Sequence, residues 1–221
     1  MKIQTAQIKF PELYLQTRDA HKLRGYFSEL FKEHSPLLNN HLEDGTYRYK
    51  YPLVQYKVID KTPLLTGLEE GAKLLTELFL KIKELKIDDT VYPVYQKNIE
   101  KKIVDIGVDD DLHRYQFKTL WMSLNQENYK KYINAETKQQ NQQLKNILIA
   151  NILSFYKAFD LITDKKIMAN LEVTEHSTKF KDKTMIGFKG RFSTNAILPN
   201  NIGIGKSVSR GFGSIIDITN H

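Results

Sequence analysis

The order in which hydrophobic periodicity changes along the chain constrains its fold more than any other feature of the sequence. Alternating apolar and polar residues indicate a strand, whereas apolar residues spaced by three and four positions indicate a helix. In the first part of the chain these patterns predict a strand around Ile8 and a helix over 19–34. Pro11 and Pro36 follow the two segments, as expected for residues that interrupt backbone hydrogen bonding. A strand and then a helix therefore begin the fold.

The same two patterns continue to about residue 108. Three tyrosines alternate with basic residues over 47–51, which predicts a strand with one basic face. Thr66 and Glu69 have the spacing of a capping box and predict the start of a second helix. The further elements are a strand at 53–59, a helix over 66–82 and a closing strand within 88–108. The predicted order is β-α-β-β-α-β, which is that of a ferredoxin-like unit.

The second half of the chain repeats this order less regularly. A long helix within 127–162 is predicted by one apolar stripe, formed by Leu144, Leu148, Ile152, Phe155 and Phe159. The predicted strands around it are 115–124, a hairpin of 167–173 with 185–192, and a last strand at 212–218. The acidic run at 109–111 indicates a break. We therefore predict an α+β chain of two tandem ferredoxin-like (β-α-β-β-α-β) units, 1–111 and 112–221, the second irregular and carrying a glycine-rich loop.

Composition excludes several classes of site. The chain has no cysteine, which rules out disulfides, thiolate nucleophiles and cysteine-bound zinc. No two histidines have the spacing of metal ligands, and the run at 109–111 lacks the pattern of a calcium loop. We therefore expect neither a required metal nor a cofactor. No segment reaches the length of a membrane span and none has the pattern of a signal peptide, so the expectation is a soluble, cytoplasmic protein that binds no membrane.

Positive charge is concentrated near the C-terminus. The chain has a formal net charge of +7. From His176 to His221 there are seven Lys and Arg residues but only two Asp residues, so this fifth of the chain carries most of the excess. A localised basic region attracts polyanions, of which nucleic acid is the commonest.

The loop at 203–213 (GIGKSVSRGFG) combines four glycines, two basic residues and two serines. Glycines let backbone N–H groups approach phosphate oxygens, and basic and hydroxyl side chains add charge and donors. The Walker and dinucleotide patterns both fail, because Asn200 and Val208 occupy positions where those patterns need glycine. The loop therefore favours a phosphate backbone over ATP or NAD. The alternative is a turn whose glycines only permit a positive φ.

Three stretches of the sequence resemble a known family. GFKGRF at 187–192 and LPNNIGIGKSVSRGFGSI at 198–215 resemble the C-terminal glycine-rich signature of the CRISPR repeat-processing endoribonucleases of the RAMP superfamily. YKYPLVQYKVIDKTPLLTGLEEG at 49–71 is similar to the corresponding N-terminal block. The resemblance implies cleavage of CRISPR repeat RNA without a metal. In the reaction that the resemblance implies, the 2′-hydroxyl attacks the scissile phosphate and leaves a 2′,3′-cyclic phosphate and a 5′-hydroxyl.

The resemblance also implies a catalytic histidine at or after the end of the first helix. Of six histidines, this selects His34 and His41, and we choose His41 because it lies in the polar turn at 39–45. Tyr47 is the expected acid/base partner, with Tyr49 as the alternative. Lys50 and Lys57 could stabilise the developing charge, although lysines on a strand are usually solvated. Without the resemblance, a surface histidine and tyrosines that pack on a sheet would be the ordinary interpretation.

The expected RNA contacts extend beyond this pair. They are Gly203, Gly205, Lys206, Ser207, Ser209, Arg210, Gly211, Gly213, Lys189, Arg191, Arg24 and Lys50. A non-catalytic RNA-binding subunit of a CRISPR effector complex is the rival hypothesis, and a nucleotide-binding enzyme is a third. Whether the chain also binds effector-complex proteins or forms a homodimer stays open.

Overall fold

The structure is a computed structural model that describes residues 1–31, 51–180 and 183–219. The chain divides into two compact units. The N-terminal unit contains Lys2–Val104 and also Val208–Gly211. The C-terminal unit contains Asp105–Ser207 and Phe212–His221, together with Met1. The glycine-rich loop therefore contributes residues to both units.

The N-terminal unit is built on a four-stranded antiparallel sheet. Its elements are β1 (Lys2–Lys9), α1 (Ala20–Leu30), β2 (Val54–Ile59), β3 (Thr62–Leu68), α2 (Glu70–Leu78), β4 (Glu84–Ile87), β5 (Thr90–Pro93) and β6 (Asn98–Asp105). The strand order is β2-β3-β1-β6, and β4 pairs with β5 in a separate hairpin. Four strands and two helices in this order confirm the predicted ferredoxin-like unit.

The helices of this unit bury one apolar stripe each. Leu23 and Phe27 of α1 are buried, and the ring of Phe27 stacks on that of Tyr56 at a centroid distance of 5.8 Å. Leu74, Leu75 and Leu78 of α2 join the same core. The core therefore lies between the helices and one face of the sheet, as the helical spacing predicts.

The capping box predicted at Thr66 is wrong. Thr66 lies inside β3, where it pairs with Gln7 on one side and Gln55 on the other. The residue that caps α2 is Glu69, whose φ is +47° and whose side chain makes no cap hydrogen bond. Its carboxylate instead accepts a hydrogen bond from the backbone N–H of Gln4 at 2.7 Å. Long-range strand pairing has overridden a local capping pattern.

The C-terminal unit has the same sheet topology. Its elements are β7 (Gly107–Phe117), α3 (Gln126–Ile133), α4 (Thr137–Lys157), β8 (Ala169–Phe180), β9 (Lys183–Ile197) and β10 (Ile215–Asp217). The strand order is β10-β7-β9-β8. Where a regular unit would have its second helix, the described chain between β9 and β10 has only a 3₁₀ turn, Val208–Arg210. The predicted irregular second unit is confirmed, and the glycine-rich loop stands at the point of the chain where that helix would be.

The acidic run at 109–111 lies within β7 and not at a break between units. The pairing of β7 with β9 shifts register between Val108 and His113, so the run occupies a bulge. Asp109 accepts a hydrogen bond from the backbone N–H of Asp111 at 2.8 Å, and its carboxylate lies 2.9 Å from Nε2 of His113. A bulge accommodates charged residues inside a strand that a sequence pattern interprets as a linker.

The long helical region consists of two helices, α3 and α4, separated by a short connection. The predicted stripe on α4 is confirmed, since Leu144, Leu148 and Ile152 are all buried. Tyr132 of α3 packs edge-on against Phe188 of β9, with ring centroids 5.7 Å apart. Among the described residues, no helix is both long enough and apolar enough to cross a membrane.

Candidate nucleic-acid interface

Both ends of the glycine-rich loop are hydrogen-bonded within the C-terminal unit. The N–H of Lys206 donates to the carbonyl of Met122 at 2.9 Å, and the N–H of Gly213 donates to the carbonyl of Leu120 at 2.8 Å. Gly203 pairs with Ser214 in an isolated bridge. These bonds direct backbone N–H groups of the loop toward protein carbonyls. The same N–H groups were predicted from the sequence to bind phosphate.

Gly205 shows why glycine is needed in the loop. Its φ is +100°, and a Cβ at this position would lie 2.7 Å from two atoms of the Trp121 ring. Trp121 is fully buried and donates from Nε1 to the side-chain oxygen of Asn151 at 3.1 Å. The loop backbone is therefore packed against the core of the C-terminal unit, and the alternative interpretation of a structural turn holds at this position.

The segment Val208–Gly211 packs within the N-terminal unit. Val208 is buried, and a Cβ on Gly211, whose φ is +93°, would lie 2.5 Å from the Cβ of Ala20. The same Cβ would lie 3.4 Å from the carbonyl oxygen of Tyr56 on β2. The segment therefore rests directly on α1 and β2.

Burial corrects part of the predicted RNA-contact set. Gly203, Ser209, Gly211 and Gly213 are all covered by protein atoms. A buried residue offers no surface to a ligand, so we no longer assign these four to RNA contact. Their contribution is to hold the loop in place.

Two basic side chains and one hydroxyl of the loop reach the surface. Lys206 is exposed, whereas Ser207 and Arg210 are half-buried. Partial desolvation by the surrounding protein lowers the pKa of the Lys206 amine. Lys206 is therefore the loop cation that a ligand would meet most directly.

A second group of cations lies on the open face of the C-terminal sheet. We call Arg114 of β7 with Lys189 and Arg191 of β9 the cationic face. The register places Gln116 and Glu172 on either side of Arg191, while the alternate residues Phe188 and Phe192 point into the core. All three cations are exposed, and none forms an ion pair with another residue in the described part of the chain.

The proposed catalytic residues lie outside the described residues. His41, Tyr47, Tyr49 and Lys50 all fall within 32–50, as does His34. Arg24, predicted to contact RNA from α1, is half-buried, and its charge partly offsets the effect of burial on the pKa of Tyr56. His21 is exposed, with Nδ1 lying 2.6 Å from the carbonyl oxygen of Arg18.

The environment of Lys57 differs from the solvated strand position that the sequence predicts. It is 0% exposed, and its Nζ has no hydrogen-bond partner among the described residues. Burial lowers the pKa of the amine to about 7. Alternation along β2 places Lys57 opposite Tyr56, on what a sequence pattern predicts to be the polar, solvated face. Gln55 and Thr66 on that side of the sheet are also fully buried.

Histidine and carboxylate groups that could together hold a metal are absent from the described ranges. The acid cluster of the β7 bulge is occupied by internal contacts, since Asp110 pairs with Lys165 at 2.7 Å and Asp109 contacts His113. The arrangement that the described residues support is therefore a set of exposed cations on an α+β scaffold, which suits a polyanionic ligand.

Two protein-family models match the chain over almost its whole length. The Cas6b N-terminal domain matches residues 1–105, and the Cas6b C-terminal domain matches residues 107–218. A solved structure described as the crystal structure of Cas6b is 35% identical, with a TM-score of 0.92, covering 99% of this chain and 100% of that one. A second, described as the crystal structure of the CRISPR RNA processing endoribonuclease Cas6b, is 32% identical, with a TM-score of 0.81 and the same coverage.

A relative with no assigned activity is also similar. An uncharacterised protein of Methanocaldococcus jannaschii is 36% identical over 143 residues, which are 64% of this chain and 97% of that protein.

Proposed function

This chain belongs to the Cas6b family, and from that premise we propose that it binds CRISPR repeat RNA and cleaves it as an endoribonuclease. The observation that carries the proposal is the match of both Cas6b domains, in order, to residues 1–105 and 107–218. The similar structure described as a CRISPR RNA processing endoribonuclease supports the same activity. The two ferredoxin-like sheets give that activity the expected scaffold.

The proposed reaction needs only the RNA and acid/base groups of the protein. A base removes the proton of the 2′-hydroxyl, whose oxygen attacks the adjacent phosphorus. The bond to the 5′-oxygen breaks, and an acid protonates that oxygen. The products are a 2′,3′-cyclic phosphate and a 5′-hydroxyl. His41 and Tyr47 are proposed as the acid/base pair, because histidine titrates near neutral pH and the resemblance places the catalytic histidine there.

The described residues support RNA as the ligand through their charge. Lys189, Arg191 and Arg114 are exposed on one sheet face, and Lys206 is exposed on the glycine-rich loop. Exposed cations attract phosphates at long range and release counterions on contact. We assign these four residues to the phosphate backbone, where they position the RNA without reading its sequence.

Replacing His41 with Ala tests the mechanism. The variant should bind repeat RNA nearly as well as wild type, while the single-turnover cleavage rate falls by roughly 10² to 10⁴, the contribution of one positioned acid or base. Tyr47→Phe should slow cleavage less. His21→Ala is the matched control, since His21 is exposed and held by the carbonyl of Arg18. A fully active His41→Ala variant would remove His41 from the mechanism.

The substrate supplies an independent arm of the same experiment. A single 2′-deoxy substitution before the cut should abolish cleavage without abolishing binding, because the nucleophile is removed. EDTA should not change the rate. Cleavage of the deoxy RNA, or a strict need for a divalent ion, would contradict the mechanism. A wild-type protein that binds repeat RNA tightly and never cuts it would favour the non-catalytic subunit.

A further inference from the structure

Two tyrosines of the N-terminal unit stand out by their exposure. Tyr14 is 74% exposed and Tyr95 is 87% exposed. Tyrosine normally buries much of its ring, because the ring is a large apolar surface. Tyr14 follows β1 and Tyr95 follows the β4–β5 hairpin, so the two residues are far apart in sequence. Two tyrosine rings exposed to this degree in one unit are available to a ligand.

Glu12 holds the two tyrosine-bearing loops side by side. Its Oε1 accepts hydrogen bonds from the backbone N–H groups of Tyr95 at 2.6 Å and Gln96 at 2.7 Å. Glu12 lies only two residues before Tyr14, so their Cα atoms are at most about 7 Å apart. The two rings are therefore presented by neighbouring loops that are tied together before any ligand binds.

The backbone of a lysine lies near each tyrosine-bearing loop. The N–H of Leu15, next to Tyr14, donates to the carbonyl of Lys61 at 2.9 Å, and the side chain of Lys61 is exposed. Lys97, two residues after Tyr95, lies with its Nζ 5.0 Å from the centroid of the Phe79 ring and donates to the carbonyl of Ile82. These contacts hold the Lys97 ammonium in place next to the Tyr95 loop.

Exposed flat rings on loops that have lysines next to them match the chemistry of single-stranded nucleic acid. Bases stack on aromatic side chains whatever their sequence, and cations beside the rings neutralise the phosphates between the bases. A protein partner could also bury exposed tyrosines. The lysines next to these loops favour a polyanion, because an ordinary protein interface is depleted of lysine.

We propose that Tyr14 and Tyr95 form a stacking platform for bases of single-stranded RNA, with Lys61 and Lys97 beside the phosphates. The platform deepens the proposed function, since it adds a contact for the same RNA. It lies on the N-terminal unit and uses none of the residues assigned above to catalysis or to the cationic face. It is sequence-tolerant, so it binds flanking single-stranded nucleotides as readily as the repeat itself.

The test measures binding of an oligouridylate that carries 2-aminopurine at single positions. In Tyr14→Ala/Tyr95→Ala the affinity should fall about tenfold or more, the order expected for the loss of base stacking. The 2-aminopurine fluorescence that is quenched by wild type should be restored. The Tyr14→Phe/Tyr95→Phe variant keeps both ring faces and should behave as wild type. Tyr129→Ala, which removes a 40% exposed tyrosine of α3, is the control for a general surface effect.

Three results would overturn the platform. The first is wild-type affinity in the double alanine variant with unchanged thermal stability. The second is an equal loss in the alanine and phenylalanine variants, which would assign binding to the hydroxyls. The third is unchanged RNA affinity together with loss of a protein partner in a pull-down. Oligouridylate binding is measured separately from repeat cleavage. A wild type that fails to cleave repeat RNA would contradict the proposed function. The binding result would still decide whether Tyr14 and Tyr95 stack on bases.

Discussion

The buried amine of Lys57 makes a residue-scale prediction about stability. In the unfolded chain its pKa returns toward the ordinary value of 10.5, whereas burial lowers it to about 7 in the folded unit. The unfolded state therefore binds more protons between these two values. The destabilisation caused by this group is greatest at and below about pH 7 and disappears as the pH rises above 10.5.

Lys57→Met should therefore raise the free energy of unfolding at pH 7, on the order of 4 kcal/mol at most, since one pKa unit corresponds to about 1.4 kcal/mol. The advantage over wild type should shrink as the pH approaches 10.5. Chemical denaturation across this range measures it, with Lys138→Met on the exposed surface of α4 as the control. Equal stabilities at every pH would mean that the amine has an acceptor or water in solution.

Gly205 provides a second test at the scale of one residue. Gly205→Ala forces a Cβ toward the Trp121 ring at a φ of +100° and should cost roughly 1 to 3 kcal/mol of stability. Gly25→Ala is the matched control, because a Cβ at Gly25 meets nothing within 4 Å and the residue lies inside α1. That substitution should stabilise the protein by about 0.5 to 1 kcal/mol.

Thermal unfolding and RNA binding of the folded fraction separate the two roles of Gly205. We expect lower stability with nearly normal affinity. A Gly205→Ala protein that melts like wild type and loses RNA affinity would restore the phosphate-cradle interpretation of this glycine.

At the scale of elements, the cationic face predicts a change in salt dependence. Replacing Arg114 and Arg191 with Ala should weaken RNA binding and flatten the plot of log affinity against log salt by about two units, roughly one per lost phosphate contact. Lys130→Ala/Lys138→Ala removes the same charge from the exposed surfaces of α3 and α4 and should leave the slope nearly unchanged. An unaltered slope in the arginine variant would place the RNA elsewhere.

Local periodicity predicted most elements correctly, because apolar residues recur at the spacing of the face that packs into the core. The stripe on α4 and the apolar positions Ala6 and Ile8 of β1 are examples. Features that depend on distant partners were missed. Thr66 matched a capping pattern, but it pairs with Gln7 and Gln55 across the sheet. Lys57 stands at a polar position of β2, and nothing in its neighbours along the chain signals that this side of the sheet is covered.

For the candidate site, the sequence predicted which charged residues are exposed better than it predicted what each residue does. The exposed cations Lys189, Arg191 and Lys206 follow from charge distribution alone. The glycines do not, because a glycine needed for packing against Trp121 and one needed for approach to a phosphate look identical in sequence. His41 and Tyr47 rest on the resemblance and stay predictions. Tyr14 and Tyr95 had no sequence signal, since only their exposure distinguishes them from the other tyrosines.

At the scale of the whole molecule, the order of residues along the chain does not match the unit to which each residue belongs. The N-terminal unit is assembled from Lys2–Val104 and from Val208–Gly211, four residues that follow almost all of the C-terminal unit. A boundary drawn at residue 111 from composition could not show this. Family-model boundaries at 105 and 107 describe the order of the domains, whereas the contacts of Val208 and Gly211 show which residues complete each fold.

Because Val208–Gly211 complete the N-terminal unit, the newly made chain on the ribosome cannot finish that unit early. About a hundred residues separate Val104 from Val208, and translation at roughly 5 to 20 residues per second needs on the order of 5 to 20 s to cross them. Throughout that interval the nascent N-terminal unit lacks the segment that rests on α1 and β2. A polypeptide that is truncated before Val208 therefore carries an incomplete first unit, however completely its earlier residues are made.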